Sequence, residues 1–214
     1  MLFPYGKSYK FLKKSTTKNT ILFLFLFLYL FHTPLLSKIL SFYIKMLSNF
    51  DIENIANYYK IPIVVLMKDE LKKIKSNDCN YIINLESSND GNGTHWLALK
   101  IENRDCVYFD SYGMLPPEEI ISFCKRIQKS HLSYNTKEIQ DLSAQTCGFY
   151  AMAFLIFLNS NNNNNHNLYQ KSSSFSNLFS SNTKLNNKIL QQFYLHLPTH
   201  SSNLQILNKL YRQK

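Results

Sequence analysis

Residues 147–158 of this 214-residue chain form an apolar run that begins with Cys147 and Gly148. Over that length, apolar side chains cover nearly every side of a helix, so the run predicts a helix buried in the middle of a domain. Its first residue is a cysteine, and the sequence therefore places a thiol at the N-terminus of a buried helix. The rest of the chain has to supply a core that surrounds this helix.

The helix N-terminus gives the Cys147 thiol a chemical context. Unpaired backbone N–H groups and the positive end of the helix dipole favour a thiolate over a thiol. The Cys147 backbone N–H and the side-chain amide of Gln140, seven residues upstream, are candidate donors to the oxyanion that develops during acyl transfer. Gly148 is predicted to let a substrate backbone come close. Taken alone, however, Cys147 would favour the alternative of a buried, inert thiol.

Two strand-like runs upstream of the helix bring an imidazole and a carboxylate together. By period-two alternation, His95 lies on one face of the first run, and the second run ends at Asp110. A tight hairpin across residues 102–105 would set Asp110 opposite His95 or within two residues of it. Asp110 is then predicted to orient His95, which acts as general base and then general acid for Cys147. Trp96 is predicted to pack beside this site.

The four cysteines argue against a disulfide framework and against a metal centre. They are scattered without a Cys-x-x-Cys unit, and no Cys/His cluster has the spacing of zinc ligands. Such usage favours a reducing, intracellular compartment. There is also no Gly-x-Ser-x-Gly elbow and no phosphate-binding loop, which removes the commonest serine-hydrolase and nucleotide-binding patterns. We therefore expect a thiol enzyme with no metal and no required cofactor.

The formal net charge of +10 is distributed unevenly. Residues 1–45 contain seven lysines and no acid, and residues 148–214 contain six basic residues and no acid, whereas the residues between them are net negative. The C-terminal third is therefore predicted to bind a polyanion such as DNA. The candidate residues are Lys184, Lys188, Lys209 and Arg212. The alternative for these residues is a solvated helical face.

The first 45 residues are a basic and hydrophobic extension that the sequence leaves open to three interpretations. Residues 19–37 are uncharged and long enough to cross a hydrocarbon core of about 30 Å. The lysines before this stretch would send the catalytic domain across the membrane, a placement that suits a thiol enzyme badly. The extension is thus a membrane anchor, a cleaved signal, or a segment outside the native protein, which would then start at Met46.

From Met46 onward, the pattern predicts one α+β domain, residues 46–214. An asparagine-rich tract at residues 159–167 cannot build a core and is predicted to be a surface loop or a disordered insert. Residues 134–140 are predicted to form a strand that delivers Gln140. The other predicted elements are strands at residues 63–67 and 81–85 and helices at residues 51–59, 117–129 and 185–197.

Three motifs of the chain resemble those of adenain, the adenovirus protease family, within the clan that includes the SUMO-deconjugating proteases. They are Gly93-Thr94-His95-Trp96, Phe109-Asp110-Ser111-Tyr112-Gly113, and Gln140 followed by Cys147-Gly148. The seven-residue offset from Gln140 to Cys147 fits the adenovirus branch, whereas a shorter offset is usual in the SUMO-protease branch. The resemblance covers about residues 46–195. Residues 47–52, 92–96 and 116–119 further resemble proteases of adenovirus-like and Polinton-type DNA elements.

The resemblance implies a papain-like fold of the adenain type, with a central, mainly antiparallel sheet flanked by helices. It implies a cysteine endopeptidase with Cys147 as nucleophile, His95 as general base, Asp110 as the acid that orients it, and Gln140 as an oxyanion donor. The substrates would be precursor capsid and core proteins of a DNA virus or virus-like element, cut after small residues such as glycine. The enzyme would act as a monomer in the host nucleus or cytoplasm or in the virion, with DNA as an optional activating polyanion.

The chain also departs from the adenain pattern. Adenain has Glu where Asp110 stands, and no cysteine occupies the offset through which adenain bonds its activating peptide. Two other functions stay open. An isopeptidase that removes a ubiquitin-like modifier would use the same residues, and an inactive, membrane-tethered or nucleic-acid-binding remnant would keep the motifs without the activity.

Overall fold

The computed structural model describes residues 46–75, 79–91, 93–127, 131–160 and 167–196. Within those ranges it contains five β-strands, five α-helices and one 3-10 helix. In chain order they are α1 (Asn49–Tyr58), β1 (Ile63–Met67), the 3-10 helix (Lys68–Lys73), β2 (Cys79–Asn84), β3 (Trp96–Glu102), β4 (Asp105–Phe109), α2 (Glu118–Arg126), β5 (His131–Tyr134), α3 (Cys147–Asn159), α4 (Leu168–Asn177) and α5 (Thr183–His196).

The five strands form one mixed sheet in the order β1-β2-β3-β4-β5. The three central strands pair antiparallel, whereas β1 pairs with β2, and β5 with β4, in parallel. The predicted α+β fold, with a sheet flanked by helices, is confirmed. The sheet was predicted to be mainly antiparallel; its three central strands are antiparallel, and each edge strand pairs with its neighbour in parallel. A parallel neighbour needs a crossover connection, which the 3-10 helix provides before β2 and α2 provides before β5.

The hairpin of β3 and β4 forms as predicted. Its register places Ala98 opposite Phe109, and its turn contains Asn103. The φ of Asn103 is 54°, a left-handed value that asparagine adopts more easily than most residues. Continuing the register sets Asp110 two residues from the position opposite His95, which is within the predicted offset.

Helix α3 is the centre of the domain, as its apolar sequence predicts. Eleven of its 13 residues are buried, and Phe154 stacks on Phe109 of β4 with 4.6 Å between the ring centroids. Phe175 of α4 contacts both rings edge-on. Aromatic pairs of this kind stabilise a core by about 0.5–1.5 kcal/mol each beyond the area that they bury. The helix that begins with Cys147 is therefore held firmly against the sheet.

The 3-10 helix and α2 cover the other face of the sheet. Tyr81 of β2 packs edge-on against Phe123 of α2, with 5.7 Å between the ring centroids. At the end of α2, the Arg126 guanidinium donates to three backbone carbonyls at the end of the 3-10 helix. The buried residues of this face include Leu97, Leu99, Tyr108, Ile120 and Phe123. The central strands are thus buried on both faces, which fixes the end of the hairpin where His95 and Asp110 lie.

The predicted strand at residues 134–140 is wrong. The strand in this region is β5, which ends at Tyr134, and the next six residues are not in a strand. The Asn135 side chain explains the difference. Its Oδ1 accepts from the Asp110 backbone N–H at 2.9 Å, and its Nδ2 donates to the Asp110 carbonyl at 2.6 Å. This side chain takes the place of a backbone partner for Asp110 and ends the pairing of β4 with β5.

The other predicted elements are present with shifts of a few residues at their ends. Helix α1 begins with a capping box of Ser48 and Asp51. Helix α4 was not predicted, since its sequence is rich in serine, a residue that favours caps and turns over helix interiors. It nevertheless begins with a capping box of Asn167 and Gln170, and that pair is a sequence signal of a helix start.

Several predictions fall outside the described residues. They concern the extension at residues 1–45, including the uncharged stretch 19–37, residues 161–166 of the asparagine-rich tract predicted at 159–167, and the basic residues Lys209 and Arg212. Within the ranges that the structure does describe, no helix is long and apolar enough to cross a membrane.

Candidate active site

His95 and Asp110 meet at one end of the central hairpin. His95 precedes the first residue of β3, and Asp110 follows the last residue of β4. The His95 Nε2 lies 3.0 Å from the Asp110 Oδ1. Both side chains are buried, with 6% and 1% of their surface exposed. At this distance the carboxylate fixes both the orientation and the tautomer of the imidazole.

Two further donors hold the Asp110 carboxylate. The Tyr112 backbone N–H donates to Oδ1 at 2.7 Å, and the Tyr108 hydroxyl donates to Oδ2 at 3.3 Å. Burial, together with the negative charge of Asp110, raises the pKa of Tyr108 well above its usual range, so this hydroxyl remains a donor. Since Asn135 also binds both backbone groups of Asp110, the position of the carboxylate is determined by the fold.

Cys147 is the first residue of α3 and is 3% exposed. Cys147 is one of the groups that raise the pKa of His95, although the His95 Nδ1 has no hydrogen-bond partner. Burial by itself lowers the pKa of His95, but hydrogen bonds and charge attraction from Asp110 and Cys147 outweigh it and raise the pKa from 6.5 to about 9. His95 is therefore an imidazolium at neutral pH, the state that stabilises a neighbouring thiolate.

Two buried side-chain atoms of the described residues have no hydrogen-bond partner. They are the His95 Nδ1 and the Oγ1 of Thr146, which precedes Cys147 and is 1% exposed. An unsatisfied buried polar atom costs about 1–3 kcal/mol, and such atoms are rare in folded proteins. Both atoms belong to the candidate site, where a bound substrate or water molecule would supply the missing partners.

The amide of Gln140 lies in the same region and is fully engaged. Its side chain is 0% exposed, and its Oε1 accepts from the Ser111 hydroxyl at 2.7 Å. Its Nε2 donates to the Ala144 carbonyl at 2.6 Å and to the Tyr112 hydroxyl at 3.0 Å. The structure thus brings Gln140 to the turn after Asp110, but both of its N–H groups have partners. A substrate oxyanion would have to replace one of these partners.

Trp96 and Gly148 lie against each other beside the nucleophile. The Trp96 indole N–H donates to the Leu47 carbonyl at 2.8 Å. A Cβ on Gly148 would lie 3.1 Å from both Trp96 Cδ1 and Leu47 Cδ1, which is tighter than ordinary packing. The protein itself therefore fills the space on that side of Gly148. A role for Trp96 and Gly148 in binding substrate stays a prediction.

A glycine turn leads into His95. The φ of Gly93 is 95°, and a Cβ there would lie 2.2 Å from the Asn84 Nδ2, so any side chain would clash. The Gly93 N–H donates to the Glu86 carboxylate at 2.8 Å, and the Leu85 N–H donates to the His95 carbonyl at 2.9 Å. These contacts fix the backbone that presents the imidazole.

Two further predictions concern ligands. Of the four residues predicted to bind a polyanion, the structure describes Lys184 and Lys188, which are exposed and one helical turn apart on α5. Among the described residues there is no cluster of three or more His, Cys, Asp or Glu side chains that could hold a metal ion.

Tyr112 and Asn135 belong to the site but were not among the predicted residues. Tyr112 is the second aromatic residue of the motif around Asp110, and its place in that motif is the signal that could have identified it. Nothing in the sequence distinguishes Asn135 from the other asparagines of the chain, because its contact with Asp110 joins residues 25 positions apart.

No protein-family model and no curated protein matches this chain. Among solved structures, the crystal structure of ASFV pS273R protease is similar, with 16% identity, a TM-score of 0.46, and coverage of 71% of this chain and 67% of that chain. The structure of AvrA delL154 with IP6 and CoA is similar with 12% identity, a TM-score of 0.37, and coverage of 71% of each chain. Likeness at these TM-scores carries no argument about activity, which depends on the geometry of the site.

Proposed function

We propose that this chain is a cysteine peptidase in which Cys147 is the nucleophile, His95 the proton-transfer group and Asp110 the residue that orients His95. One observation carries the proposal. Cys147, at the N-terminus of a buried helix, contributes to the raised pKa of His95, whose Nε2 lies 3.0 Å from the buried Asp110 carboxylate. Nucleophile, base and orienting acid in this order are the constellation of covalent acyl-transfer enzymes.

The chemistry begins with the Cys147 thiolate, which attacks the carbonyl carbon of the scissile amide. A C–S bond forms, and the carbonyl electron pair moves to the oxygen. The His95 imidazolium then gives its proton to the leaving nitrogen, the C–N bond breaks, and an acyl-thioester remains. Water, deprotonated by His95, attacks the thioester, which releases the acid and restores the thiolate and the imidazolium.

The oxyanion needs donors that are already in place when its charge develops. The N-terminal end of α3 offers the Cys147 backbone N–H. The second proposed donor is Gln140, which would exchange its hydrogen bond to the Ala144 carbonyl for one to the oxyanion. The bond to the Tyr112 hydroxyl would remain and hold the amide in position.

Thiol labelling tests whether Cys147 is the activated cysteine. Treated with iodoacetamide at pH 7, Cys147 should react at least about tenfold faster than the other three cysteines, because a thiolate is the reactive species. Solvent exposure alone would predict faster labelling of Cys79 than of Cys147, since Cys79 is half-buried and Cys147 is buried. Burial also raises the pKa of Cys79, which slows its reaction. Peptide mass spectrometry over a time course gives the four rates.

The control for this experiment is His95→Gln, which removes the imidazolium and leaves the thiol. Labelling of Cys147 should slow in that variant while labelling of Cys79 stays the same. Faster labelling of Cys79 than of Cys147 in the wild type would argue for an inert Cys147. A metal chelator should change neither the labelling nor any peptidase activity.

The substrates we propose come from the resemblance of the three motifs to adenain. They are precursor structural proteins of a DNA virus or virus-like element, cut after small residues such as glycine, inside an infected cell or in the virion. Removal of a ubiquitin-like modifier is the alternative for the same chemistry. Comparing a glycine-containing linear peptide with an isopeptide-linked modifier as substrates would separate the two functions.

We further propose that α5 binds a polyanion through Lys184 and Lys188. Both residues are exposed, and residues 148–196 contain no acidic side chain. Changing both lysines to Gln should lower the salt dependence of duplex DNA binding by roughly one unit of slope for each phosphate that a lysine no longer neutralises. Fluorescence anisotropy across a salt series measures that slope. Lys125→Gln on the exposed side of α2 is the control. Equal slopes in the wild type, the double lysine variant and this control would show that Lys184 and Lys188 only form a solvated helical face.

A further inference from the structure

Tyr112 contacts three of the residues assigned to the reaction, Asp110, Gln140 and His95. The fourth, Cys147, affects the pKa of the Tyr112 phenol. The Tyr112 backbone N–H donates to the Asp110 carboxylate, and its hydroxyl accepts from the Gln140 amide. Its ring stacks on His95, and the charge of Cys147 contributes to the raised pKa of its phenol, after burial. No other described side chain joins the imidazole to the Gln140 amide in this way.

The ring of Tyr112 lies over the imidazole of His95. The two ring centroids are 4.7 Å apart, and the ring planes are inclined by 25°. The face of an aromatic ring is negative and attracts a cation within about 6 Å of its centroid. Because His95 is an imidazolium at neutral pH, this stacking both stabilises its charge and restricts its rotation about the bond to the backbone.

The hydroxyl of Tyr112 acts on the other half of the site. It accepts from the Gln140 Nε2 at 3.0 Å and donates to the Ala144 carbonyl at 3.4 Å. The Gln140 Nε2 also donates to the same Ala144 carbonyl, so the three groups form a closed ring of hydrogen bonds. This ring leaves the amide of Gln140 one orientation, because exchanging its oxygen and nitrogen would set two oxygens against each other at 2.6 Å.

The backbone around Tyr112 leaves it little freedom. The next residue, Gly113, has a φ of 70°, and a Cβ there would lie 2.8 Å from backbone atoms of Thr136 and Lys137. The turn is therefore pressed against the segment that leads to Gln140. The N–H of Gly113 also donates to the Asp110 carbonyl at 2.9 Å, which closes the turn that carries the Tyr112 side chain.

We propose that Tyr112 is a positioning residue that holds the general base and the oxyanion donor in one arrangement, its ring on His95 and its hydroxyl on Gln140. This inference rests on the proposed function and extends it, since it joins two parts of the site that come from distant segments of the chain. The phenol does not exchange protons with the substrate. It acts only through His95, on which its ring stacks, and through Gln140, whose amide its hydroxyl binds.

An experiment that needs no substrate tests the ring. In the wild type, NMR titration of His95 should give a pKa near the value of about 9. Tyr112→Phe keeps the ring and should leave that pKa unchanged, whereas Tyr112→Leu should lower it by about half a unit. The titratable groups facing His95 are Asp110 and Cys147, and both variants retain them. If the smaller leucine admitted water, the pKa of His95 would rise, because burial lowers this pKa. A fall in the His95 pKa therefore reports the loss of the aromatic ring.

The hydroxyl is tested on the Gln140 amide and on turnover. Tyr112→Phe should shift one of the two side-chain N–H signals of Gln140 and leave the one bound to Ala144, with the signals assigned by their loss in Gln140→Ala. It should reduce kcat by about three- to tenfold at unchanged KM, the effect of one hydrogen bond. In the Gln140→Ala background, the same change should have no further effect, since the hydroxyl acts through that amide.

Tyr169→Phe, on the exposed side of α4, is the control and should change none of these quantities. An unchanged His95 pKa in Tyr112→Leu, or full additivity of Tyr112→Phe with Gln140→Ala, would overturn the proposal for Tyr112. Neither result bears on whether Cys147 is the nucleophile, which the labelling rates decide separately. If no substrate is cleaved, the two NMR measurements still decide the role of Tyr112.

Discussion

Replacing Cys147 with alanine should reduce kcat by about 10⁴-fold or more on any peptide that the wild-type chain cleaves. The covalent pathway needs the sulfur, and no other described nucleophile is placed beside His95. Because Cys147 is 3% exposed at the start of α3, the smaller alanine leaves only a small void, and the fold should survive. Glycine-containing fluorogenic peptides, assayed with equal amounts of folded protein, measure the change.

The matched control is Cys79→Ala, a change of the same size in β2, outside the site. It should retain activity within about twofold, because Cys79 lies outside the site, at the edge of the core, and its hydrogen bond to the neighbouring Asn80 carbonyl is a weak thiol bond. Equal activity of the Cys147→Ala and wild-type proteins would remove the peptidase assignment. Equal losses in both cysteine variants would indicate damage to the fold in place of lost chemistry.

The parts of the fold that the sequence predicted are those with strong local patterns. Helix α3 is apolar on nearly all sides and had no alternative to burial, and the β3-β4 hairpin has a period-two pattern with a short turn. The hairpin register then brought His95 to Asp110 without further information, because the distance between facing residues of a hairpin is set by its backbone. Half of the candidate site therefore followed from local rules.

The segment before Gln140 could not be predicted in the same way, because side chains from other segments determine its path. Asn135 binds the backbone of Asp110, and the Asn186 amide of α5 donates to the Ile139 carbonyl at 2.9 Å. Both contacts replace the strand pairing that the sequence of this segment suggests. Polar side chains that bind a distant backbone leave no periodic pattern, so only the folded structure identifies them.

The packing around Gly148 was also beyond the sequence. A glycine after a nucleophilic cysteine suggests room for a substrate, and although Trp96 was expected beside the site, the local pattern gives no reason to expect Leu47 in that space. The contact of Leu47 with Gly148 joins residues about 100 positions apart. Glycine at this position allows the close approach of two hydrophobic side chains, whichever substrate the site accepts.

The second large effect is expected from Asp110→Asn, which should reduce kcat/KM by about 10²-fold or more near neutral pH. An amide can still accept a hydrogen bond from His95, but it has no charge to stabilise the imidazolium. It also carries an N–H₂ group toward the Tyr112 N–H or the Tyr108 hydroxyl, both of which donate to the carboxylate. The imidazole would lose charge stabilisation and a fixed orientation together.

The raised pKa of His95 determines in which direction stability and activity change with pH. The pKa of His95 is raised from 6.5 to about 9 in the folded protein, so the ion pair with Asp110 stabilises the fold fully below pH 6.5, and this contribution is lost as the pH rises through 9. Activity that needs the imidazolium should fall over the alkaline part of the same window. In Asp110→Asn, the alkaline limb of the kcat/KM profile should move to lower pH by about one pH unit or more. The wild type should also lose its advantage in unfolding free energy over this variant as the pH rises from 6.5 to 9.

Asp105→Asn provides a matched control on the same hairpin, because it makes the same change in an exposed pair with His131. Exposed ion pairs contribute little, so its pH profile should coincide with that of the wild type. If the alkaline limb stayed at about pH 9 in Asp110→Asn, it would not report the deprotonation of His95. Asp110 would then have a purely steric role. Movement of the limb in Asp110→Asn alone is the result that ties the buried carboxylate to the charge on His95, and through it to the thiolate that the proposed reaction requires.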